Sequence, residues 1–201
     1  MEKIVRVVVG PIEENCYLVQ PEAGGVLYII DPGDEAGRIA AAVGKFTFSE
    51  VVILFTHGHF DHIHATGELV KLFGVKKAYL HAADHELFFS PLNAYLPFIP
   101  PAKNLPAVSA ELEFEGIKIL HTPGHTPGGV SFYVPSLGAL FSGDTLFRGS
   151  VGRSDLPGGD HAQQIKSIRE KLLTLPGATA VYPGHGDATT IDREKLSNPF
   201  L

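Results

Sequence analysis

The sequence contains a single cysteine, Cys16, among its 201 residues, so no disulfide can form within the chain. Cys16 lies in the apolar run NCYLV, where we expect a small buried hydrophobic residue. No stretch approaches the roughly 20 apolar residues that span a bilayer, and the N-terminal MEKIVRVVVG lacks the apolar core of a signal peptide. Neither a GxSxG motif nor a P-loop occurs. These absences favour a cytoplasmic protein that does not associate with membranes.

Positive charge is also scarce. The 16 Lys and Arg residues and 22 Asp and Glu residues give a net charge of 16 − 22 = −6 with neutral histidines. Because affinity for DNA or RNA comes largely from basic side chains, we predict no nucleic-acid partner. Hydrophobic residues make up 44% of the chain, which is enough for a sizeable core. Since no linker or low-complexity segment interrupts the sequence, we predict one domain over 1–201, of unknown oligomeric state.

Histidine, in contrast, is concentrated in the segment THGHFDH. Three imidazoles and a carboxylate lie within six positions, at His57, His59, Asp61 and His62. These ligand types suit zinc, iron or manganese. In an extended or tightly looped segment, alternate side chains project the same way, so His57 and His59 can hold one ion. Asp61 and His62 follow them and can turn toward a second ion.

Three distant residues are the candidates to complete both metal sites. His125 lies in HTPGHTPG, Asp144 in FSGDTLF and His185 in YPGHG, each beside glycine, where the backbone can turn sharply. Asp144 is the only acid of the three, and a carboxylate can bridge two metals through its two oxygens. Two divalent metals can share a hydroxide that forms at neutral pH and can polarise a carbonyl. The pattern therefore predicts hydrolysis of an ester, thioester, amide or phosphodiester.

Most of these residues follow predicted strands, as expected when a sheet positions a site. The β-branched or aromatic runs IVRVVVG, NCYLVQ and GVLYIID predict strands, and EVVILFTH predicts a buried strand that leads into the histidine segment. ELEFEG and IKILH predict a hairpin, and DHAQQIKSIREKLLTLPG predicts an amphipathic helix. Residues 90–107 carry five prolines and fit neither period, so we predict a surface loop or lid there.

At these residues the chain resembles the metallo-β-lactamase-fold hydrolases, and within them the compact glyoxalase II-like group. THGHFDH is similar to the family motif THxHxDH, and HTPGHTPG, SGDTLF and PGHG follow in family order. The resemblance implies an α/β fold, an αββα sandwich of two mixed sheets flanked by helices. It implies two divalent metal ions, with zinc expected and iron or manganese as alternatives. It implies that Asp61 orients the attacking hydroxide. It assigns His57, His59 and His125 to one metal, Asp61, His62 and His185 to the other, and Asp144 to both.

The resemblance also bears on the substrate. Asp144 differs from the residue that true β-lactamases usually have at this position, which argues against antibiotic hydrolysis. LFRGSVGRSDLPGGD is similar to a segment that lies near the metals in glyoxalase II-like hydrolases and persulfide dioxygenases. Arg148 and Arg153 could therefore orient substrate, although a salt bridge between Arg153 and Asp155 is an equally good interpretation.

Classical glyoxalase II enzymes hold glutathione with a C-terminal helical region, whereas this chain ends 16 residues after His185. We therefore expect the missing wall of the substrate site to come from residues 90–107, through Tyr95, Phe98 and Lys103. The resemblance implies a small-molecule thioester substrate, S-lactoylglutathione or another S-acylglutathione, cleaved by a metal-bridging hydroxide. Two alternatives remain open. One is a persulfide dioxygenase with a single iron held by His57, His125 and Asp144, and the other is a hydrolase of another small ester, lactone or phosphodiester.

Overall fold

The computed structural model describes residues 3–94 and 98–201 of the chain. The chain divides into two compact units, Met1–Leu112 and Glu113–Leu201. Each unit contains a five-stranded mixed β-sheet and helices, which are the components of the predicted fold class. The single domain expected over 1–201 stays a prediction. No helix among the described residues has the length and apolar character needed to cross a membrane.

The sheet of the first unit has the strand order β1-β2-β3-β4-β5. Its first three strands pair antiparallel, whereas β3, β4 and β5 run parallel to one another. The elements of this unit are β1 (Ile4–Val9), β2 (Glu14–Val19), β3 (Val26–Ile30), α1 (Ala36–Val43), β4 (Glu50–Leu54), α2 (Thr66–Phe73), β5 (Lys77–Tyr79) and α3 (His85–Phe89).

The core of the first unit forms between this sheet and its helices. Alternate residues of β3, Leu27 and Ile29, share one cluster with Ile39 of α1 and Leu69 of α2, and all four are 0% exposed. The period of two in the strand and of nearly four in the helices thus brings one apolar face of each element together. Burial of each such side chain stabilises the fold by about 1.5–3 kcal/mol. Cys16 belongs to the same cluster and is 0% exposed, as predicted.

The parallel strands determine where the functional loops of this unit lie. Carboxyl ends of parallel neighbours meet at one edge of a sheet, which is where open α/β sheets usually bind ligands. Asp31 directly follows β3, and Thr56 and His57 come shortly after β4. The chain after β5 contributes Asp84 to the same edge, since Asp84 bonds the residue that follows His57.

The sheet of the second unit has the order β12-β11-β8-β7-β6, in which only β11 and β8 are parallel. Its core contains Ile168 and Leu172, which pack with Leu140 of β8 and Val181 of β11. The elements are β6 (Lys118–His121), β7 (Val130–Val134), β8 (Ala139–Gly143), the separate hairpin β9 (Leu146–Phe147) and β10 (Ser150–Val151), α4 (His161–Ser167) with its π-helical continuation Ile168–Leu172, β11 (Ala180–Pro183), β12 (Thr189–Thr190) and α5 (Ile191–Ser197).

Two parts of the sequence interpretation differ from the structure. The hairpin expected from ELEFEG and IKILH is wrong in its first arm, where only an isolated bridge joins Phe114 and Ile117. Leu112 and Phe114 stay partly exposed, so this arm has no buried face that would fix a strand. Helix α5 was not predicted, although Thr190 caps it by accepting a hydrogen bond from the backbone of Arg193. Residues 90–94 and 98–107 contain neither helix nor strand, as the loop prediction requires.

Candidate metal centre

The first unit places four of the predicted donors in one short segment after β4. The ring centroid of His57 lies 4.8 Å from that of His59 and 4.1 Å from that of His62. A short 3-10 turn over Phe60–His62 brings Asp61 beside His62, with 3.5 Å between Oδ2 of Asp61 and Nε2 of His62. His57 is 2% exposed and His62 is 0% exposed. The structure therefore brings His57, His59, Asp61 and His62 together, as the sequence predicted.

The side chain of Asp31 holds two of these histidines through one hydrogen-bond network. Its Oδ1 accepts from the Thr56 amide at 2.7 Å, and its Oδ2 accepts from the Thr56 hydroxyl at 2.6 Å. The same Oδ2 lies 3.0 Å from Nδ1 of His62. The Thr56 hydroxyl in turn lies 3.0 Å from Nδ1 of His57. Asp31 is 2% exposed, so the network is shielded from water.

This network fixes which nitrogen of each imidazole can bind a metal. The Thr56 hydroxyl gives its only hydrogen to Asp31, so Nδ1 of His57 must donate to that hydroxyl. Nδ1 of His62 likewise donates to the Asp31 carboxylate. In a neutral imidazole the lone pair then lies on Nε2, which is the arrangement usual for metal-binding histidines. His57 and His62 therefore present Nε2 as the ligand atom.

A second acid adds negative charge beside this network. Glu14 is 1% exposed, and its Oε1 lies 3.8 Å from Nδ1 of His62. Burial raises the pKa of the Cys16 thiol well above its ordinary value, and the charges of Glu14 and Asp31 raise it further. Cys16 is therefore held as a thiol rather than a nucleophilic thiolate. Two buried carboxylates beside histidines also favour compensating positive charge, which a divalent cation would supply.

The second unit brings its three predicted donors together in the same way. β8 and β11 are parallel neighbours, and their carboxyl ends lead to Asp144 and His185. Oδ2 of Asp144 lies 3.6 Å from Nε2 of His125 and 3.8 Å from Nε2 of His185. The Asp144 side chain is 14% exposed and thus lies between two imidazoles in a mostly buried position. The structure therefore brings His125, Asp144 and His185 together, and the service of Asp144 to two metals stays a prediction.

Helix α4 and the chain before it support these donors. Nδ1 of His125 donates to the carbonyl of Arg153 at 2.7 Å, which again leaves Nε2 as the ligand atom. Gln164 is 0% exposed, and its Nε2 donates to the carbonyls of Asp144 at 3.4 Å and Thr145 at 3.3 Å. Gln164 therefore fixes the main chain that carries Asp144.

The two arginines proposed to orient substrate both form ion pairs. Arg153 donates from Nε and Nη2 to the two oxygens of Asp155 at 2.8 and 2.7 Å. Hydrogen bonding by Arg153 lowers the pKa of Asp155 to about 2. Both side chains are exposed, so the pair orients the loop more than it stabilises the fold. Arg148 donates to Asp187 at 3.2 Å. The salt bridge that the sequence suggested for Arg153 is present, and a substrate role for Arg148 and Arg153 stays a prediction.

The structure says less about the residues proposed as a substrate wall than about the metal donors. Phe98 is 75% exposed, which is unusual for a large aromatic side chain, and Lys103 is exposed. Tyr95 lies outside the described residues. The role of these three residues in substrate binding stays a prediction.

Sequence reasoning missed the residues that orient the donors, which are Asp31, Thr56 and Gln164. Asp31 carried a signal, because it follows the apolar run GVLYII as directly as the donors follow their own strands. Thr56 carried the same signal, because it directly follows the apolar run VVILF and precedes the first histidine. Gln164 carried none, since a glutamine in an amphipathic helix is ordinarily assigned to its solvent face. The donor set fits divalent metals, with neutral imidazoles oriented through Nδ1 and carboxylates beside them.

Comparison with known proteins identifies relatives along nearly the whole chain. The family model for the metallo-beta-lactamase superfamily matches residues 9–185. The hydroxyacylglutathione hydrolase GloC of Haemophilus influenzae is 38% identical over 207 residues, which cover 96% of this chain and 95% of that protein. Two solved structures are similar over the full fold. TTHA1623 in a di-iron-bound form has a TM-score of 0.86 and 41% identity, covering 98% of this chain and 100% of that chain. The BLEG-1 B3 metallo-beta-lactamase has a TM-score of 0.85 and 38% identity, and the match covers 98% of this chain and 99% of that chain. The predicted fold class is thereby confirmed.

Proposed function

The chain belongs to the metallo-beta-lactamase superfamily, and we propose that it is a binuclear metal-dependent thioesterase that hydrolyses an S-acylglutathione. S-lactoylglutathione is the proposed substrate. The observation that carries the choice of thioester is the 38% identity to a hydroxyacylglutathione hydrolase over 96% of the chain. The donor chemistry of both units supports the metal-dependent part of the proposal.

We propose that the donors of the two units together hold two divalent ions. His57, His59 and His125 would bind one ion, Asp61, His62 and His185 the other, and Asp144 both. Zinc is the proposed metal, and the di-iron form of TTHA1623 supports iron as the alternative. When bound, the metals would supply a nucleophilic water at neutral pH and an electrophile for the thioester carbonyl. Elemental analysis of the purified protein identifies the metal and its stoichiometry.

The protein's own residues prepare the donors for this chemistry. Asp31 and Thr56 hold His57 and His62 with their Nε2 atoms available, and the Arg153 carbonyl does so for His125. Because these hydrogen bonds fix the tautomers before a metal binds, the donors need little reorganisation when it does. A thiolate leaving group departs with little need for protonation, so the proposal requires no dedicated general acid. The buried Cys16 takes no part.

The rate of S-lactoylglutathione hydrolysis by metal-replete protein tests the proposed substrate, with loss of thioester absorbance as the signal. Rapid turnover that a chelator abolishes supports the proposal. Negligible turnover by protein with two bound metals contradicts the thioester assignment and leaves the metal centre intact. Oxygen consumption with glutathione persulfide then tests the dioxygenase alternative.

A second candidate function follows from one of the relatives. BLEG-1 is named a B3 metallo-beta-lactamase and is 38% identical to this chain. Hydrolysis of a β-lactam by the same protein sample tests this candidate directly. We expect a much lower kcat/KM for the β-lactam than for S-lactoylglutathione, because Asp144 departs from the residue usual in true β-lactamases. The reverse order of the two kcat/KM values would contradict the proposed function.

Substitution of the exposed side chains after position 97 tests the proposed substrate wall. We expect Phe98→Ala and Lys103→Ala to raise KM for S-lactoylglutathione by about tenfold, the low end of the range for loss of one apolar contact, with kcat and metal content unchanged. Leu92→Ala is the control, since Leu92 is an exposed apolar residue of the same segment. Wild-type KM values in both variants would remove these residues from the substrate site.

A further inference from the structure

Gly58, the residue between the first two histidine donors, is held on both sides by side chains from a later part of the chain. Oδ2 of Asp84 accepts a hydrogen bond from the Gly58 amide at 3.0 Å. Nδ2 of Asn93 donates to the Gly58 carbonyl at 2.6 Å. Asp84 is 0% exposed and Asn93 is 6% exposed, so both bonds form away from water. Hydrogen bonds in such surroundings are stronger than in water, and their loss leaves a buried polar group.

These two bonds act on the directions of His57 and His59. The amide of Gly58 belongs to the peptide group that follows His57, and its carbonyl belongs to the peptide group that precedes His59. Rotation of either peptide group would turn the adjacent histidine. The centroids of the two imidazole rings lie 4.8 Å apart, at an interplanar angle of 86°. The hydrogen bonds that hold both peptide groups therefore preserve this distance and angle.

The residues that hold Gly58 are themselves firmly placed. Asp84 ends a 3-10 turn over Ala82–Asp84 and directly precedes helix α3. Phe88 of that helix packs on Phe55, with ring centroids 4.9 Å apart and both side chains buried. A Cβ atom on Gly58 would lie 3.2 Å from the Asp84 carbonyl oxygen and 3.2 Å from the Phe88 amide. A side chain at position 58 would therefore make tight contacts with the main chain of Asp84 and α3, which would have to shift by a few tenths of an ångström.

Asn93 is aimed by a compact turn at the start of the 90–107 segment. The Asn93 amide donates to the Ser90 carbonyl at 3.1 Å, and the Leu92 amide donates to the Ser90 hydroxyl at 3.1 Å. The Ser90 amide donates to the Leu87 carbonyl at 3.1 Å, which continues the turn from α3. The first residues of the 90–107 segment thus form a turn directly after α3, and this turn places Asn93 against the histidine segment.

We infer that Asp84 and Asn93 are positioning residues that aim His57 and His59 at one metal ion. Asn93 further connects the 90–107 segment to the donors, so that a change in this segment is transmitted to metal binding. The inference rests on the proposed metal centre and extends it to two residues that touch neither metal nor substrate. Because deletion of residues 90–107 would remove Asn93 and its bond to Gly58, single substitutions are the better probe of substrate contacts.

Metal titration of the apo protein tests this inference without any substrate. Zn²⁺ affinity is measured by competition with a chromophoric chelator, and the Co²⁺-substituted protein is followed by its visible absorption bands. We expect Asp84→Ala and Asn93→Ala to weaken binding of the ion assigned to His57 and His59 by about 10- to 100-fold, the range for residues that orient metal ligands. The Co²⁺ bands should shift, because the angle between the two imidazoles changes.

Conservative variants separate positioning from general destabilisation. Asp84→Asn keeps an oxygen that can accept from the Gly58 amide and should restore most of the affinity, whereas Asn93→Asp sets a carboxylate against the Gly58 carbonyl and should not. Glu86→Gln and Leu92→Ala are the matched controls at exposed neighbouring positions. Wild-type affinity and Co²⁺ bands in folded Asn93→Asp would overturn the inference. Failure of wild-type protein to bind any Zn²⁺ or Co²⁺ would instead overturn the proposed metal centre on which it rests.

Discussion

Replacement of Asp144 by alanine is expected to abolish turnover and to lower the metal content of the protein. Asp144 lies between His125 and His185 at 3.6 and 3.8 Å, and it is the proposed ligand of both ions. Loss of a residue that only orients a ligand already costs about 10- to 100-fold. Loss of a shared ligand should therefore cost more than about 100-fold in kcat/KM. Steady-state kinetics and elemental analysis of the same sample provide the measurement.

The control for this substitution is Asp192→Ala. Asp192 is an exposed acid in the same unit, in the first turn of α5, and it lies outside the proposed site. The control should keep the activity and metal content of the wild type. Asp144→Asn adds a further distinction, because it retains the volume and one oxygen but loses the charge. Substantial activity in Asp144→Ala, with two metals still bound, would remove Asp144 from its proposed role.

The donors could be predicted from the sequence because short local patterns carry them. His57 and His59 follow an apolar run that forms β4, and Asp144 follows one that forms β8. Each run contains enough buried apolar residues to specify a strand, and the end of a strand determines where the next side chains lie. Glycine beside the distant donors marked the sharp turns. Local sequence was therefore sufficient to identify the donors that each unit contributes.

The residues that orient the donors could not be predicted in this way. Thr56 meets Asp31 across 25 positions, and Gly58 meets Asn93 across 35. Such hydrogen bonds depend on how strands β3, β4 and β5 are ordered in the sheet, which no local period encodes. The ELEFEG segment shows the opposite failure. Its alternating pattern predicted a strand, but Leu112 and Phe114 stay partly exposed and only an isolated bridge joins Phe114 to Ile117, so no strand forms.

Substitution of Gly33 by alanine should have the largest effect of any single methyl group in the first unit. A Cβ atom there would lie 2.0 Å from the carbonyl oxygen of Asp61 and 2.5 Å from Oε2 of Glu14. The Glu14 side chain can rotate, but the Asp61 oxygen is main chain and can move only with the donor segment. The Gly33 carbonyl also accepts from the His64 amide at 3.1 Å, which ties it to the same segment. Space, rather than backbone conformation, therefore requires glycine here.

We expect Gly33→Ala to destabilise the fold by about 1–3 kcal/mol, as overpacking does, and to displace Asp61 and His62 together. Zn²⁺ binding should then lose the ion assigned to these two donors while the other ion is retained. Gly37→Ala is the matched control, because no atom beyond its chain neighbours and the local backbone of α1 lies within 4 Å of the added methyl group, and alanine favours a helix by up to about 1 kcal/mol. Thermal unfolding and metal stoichiometry of both variants provide the measurement. Gly33→Ala could instead lose stability and still bind two ions with wild-type affinity. The segment that carries Asp61 would then be able to move without weakening metal binding. Asp61 and His62 would then not need the fixed geometry that is proposed for them.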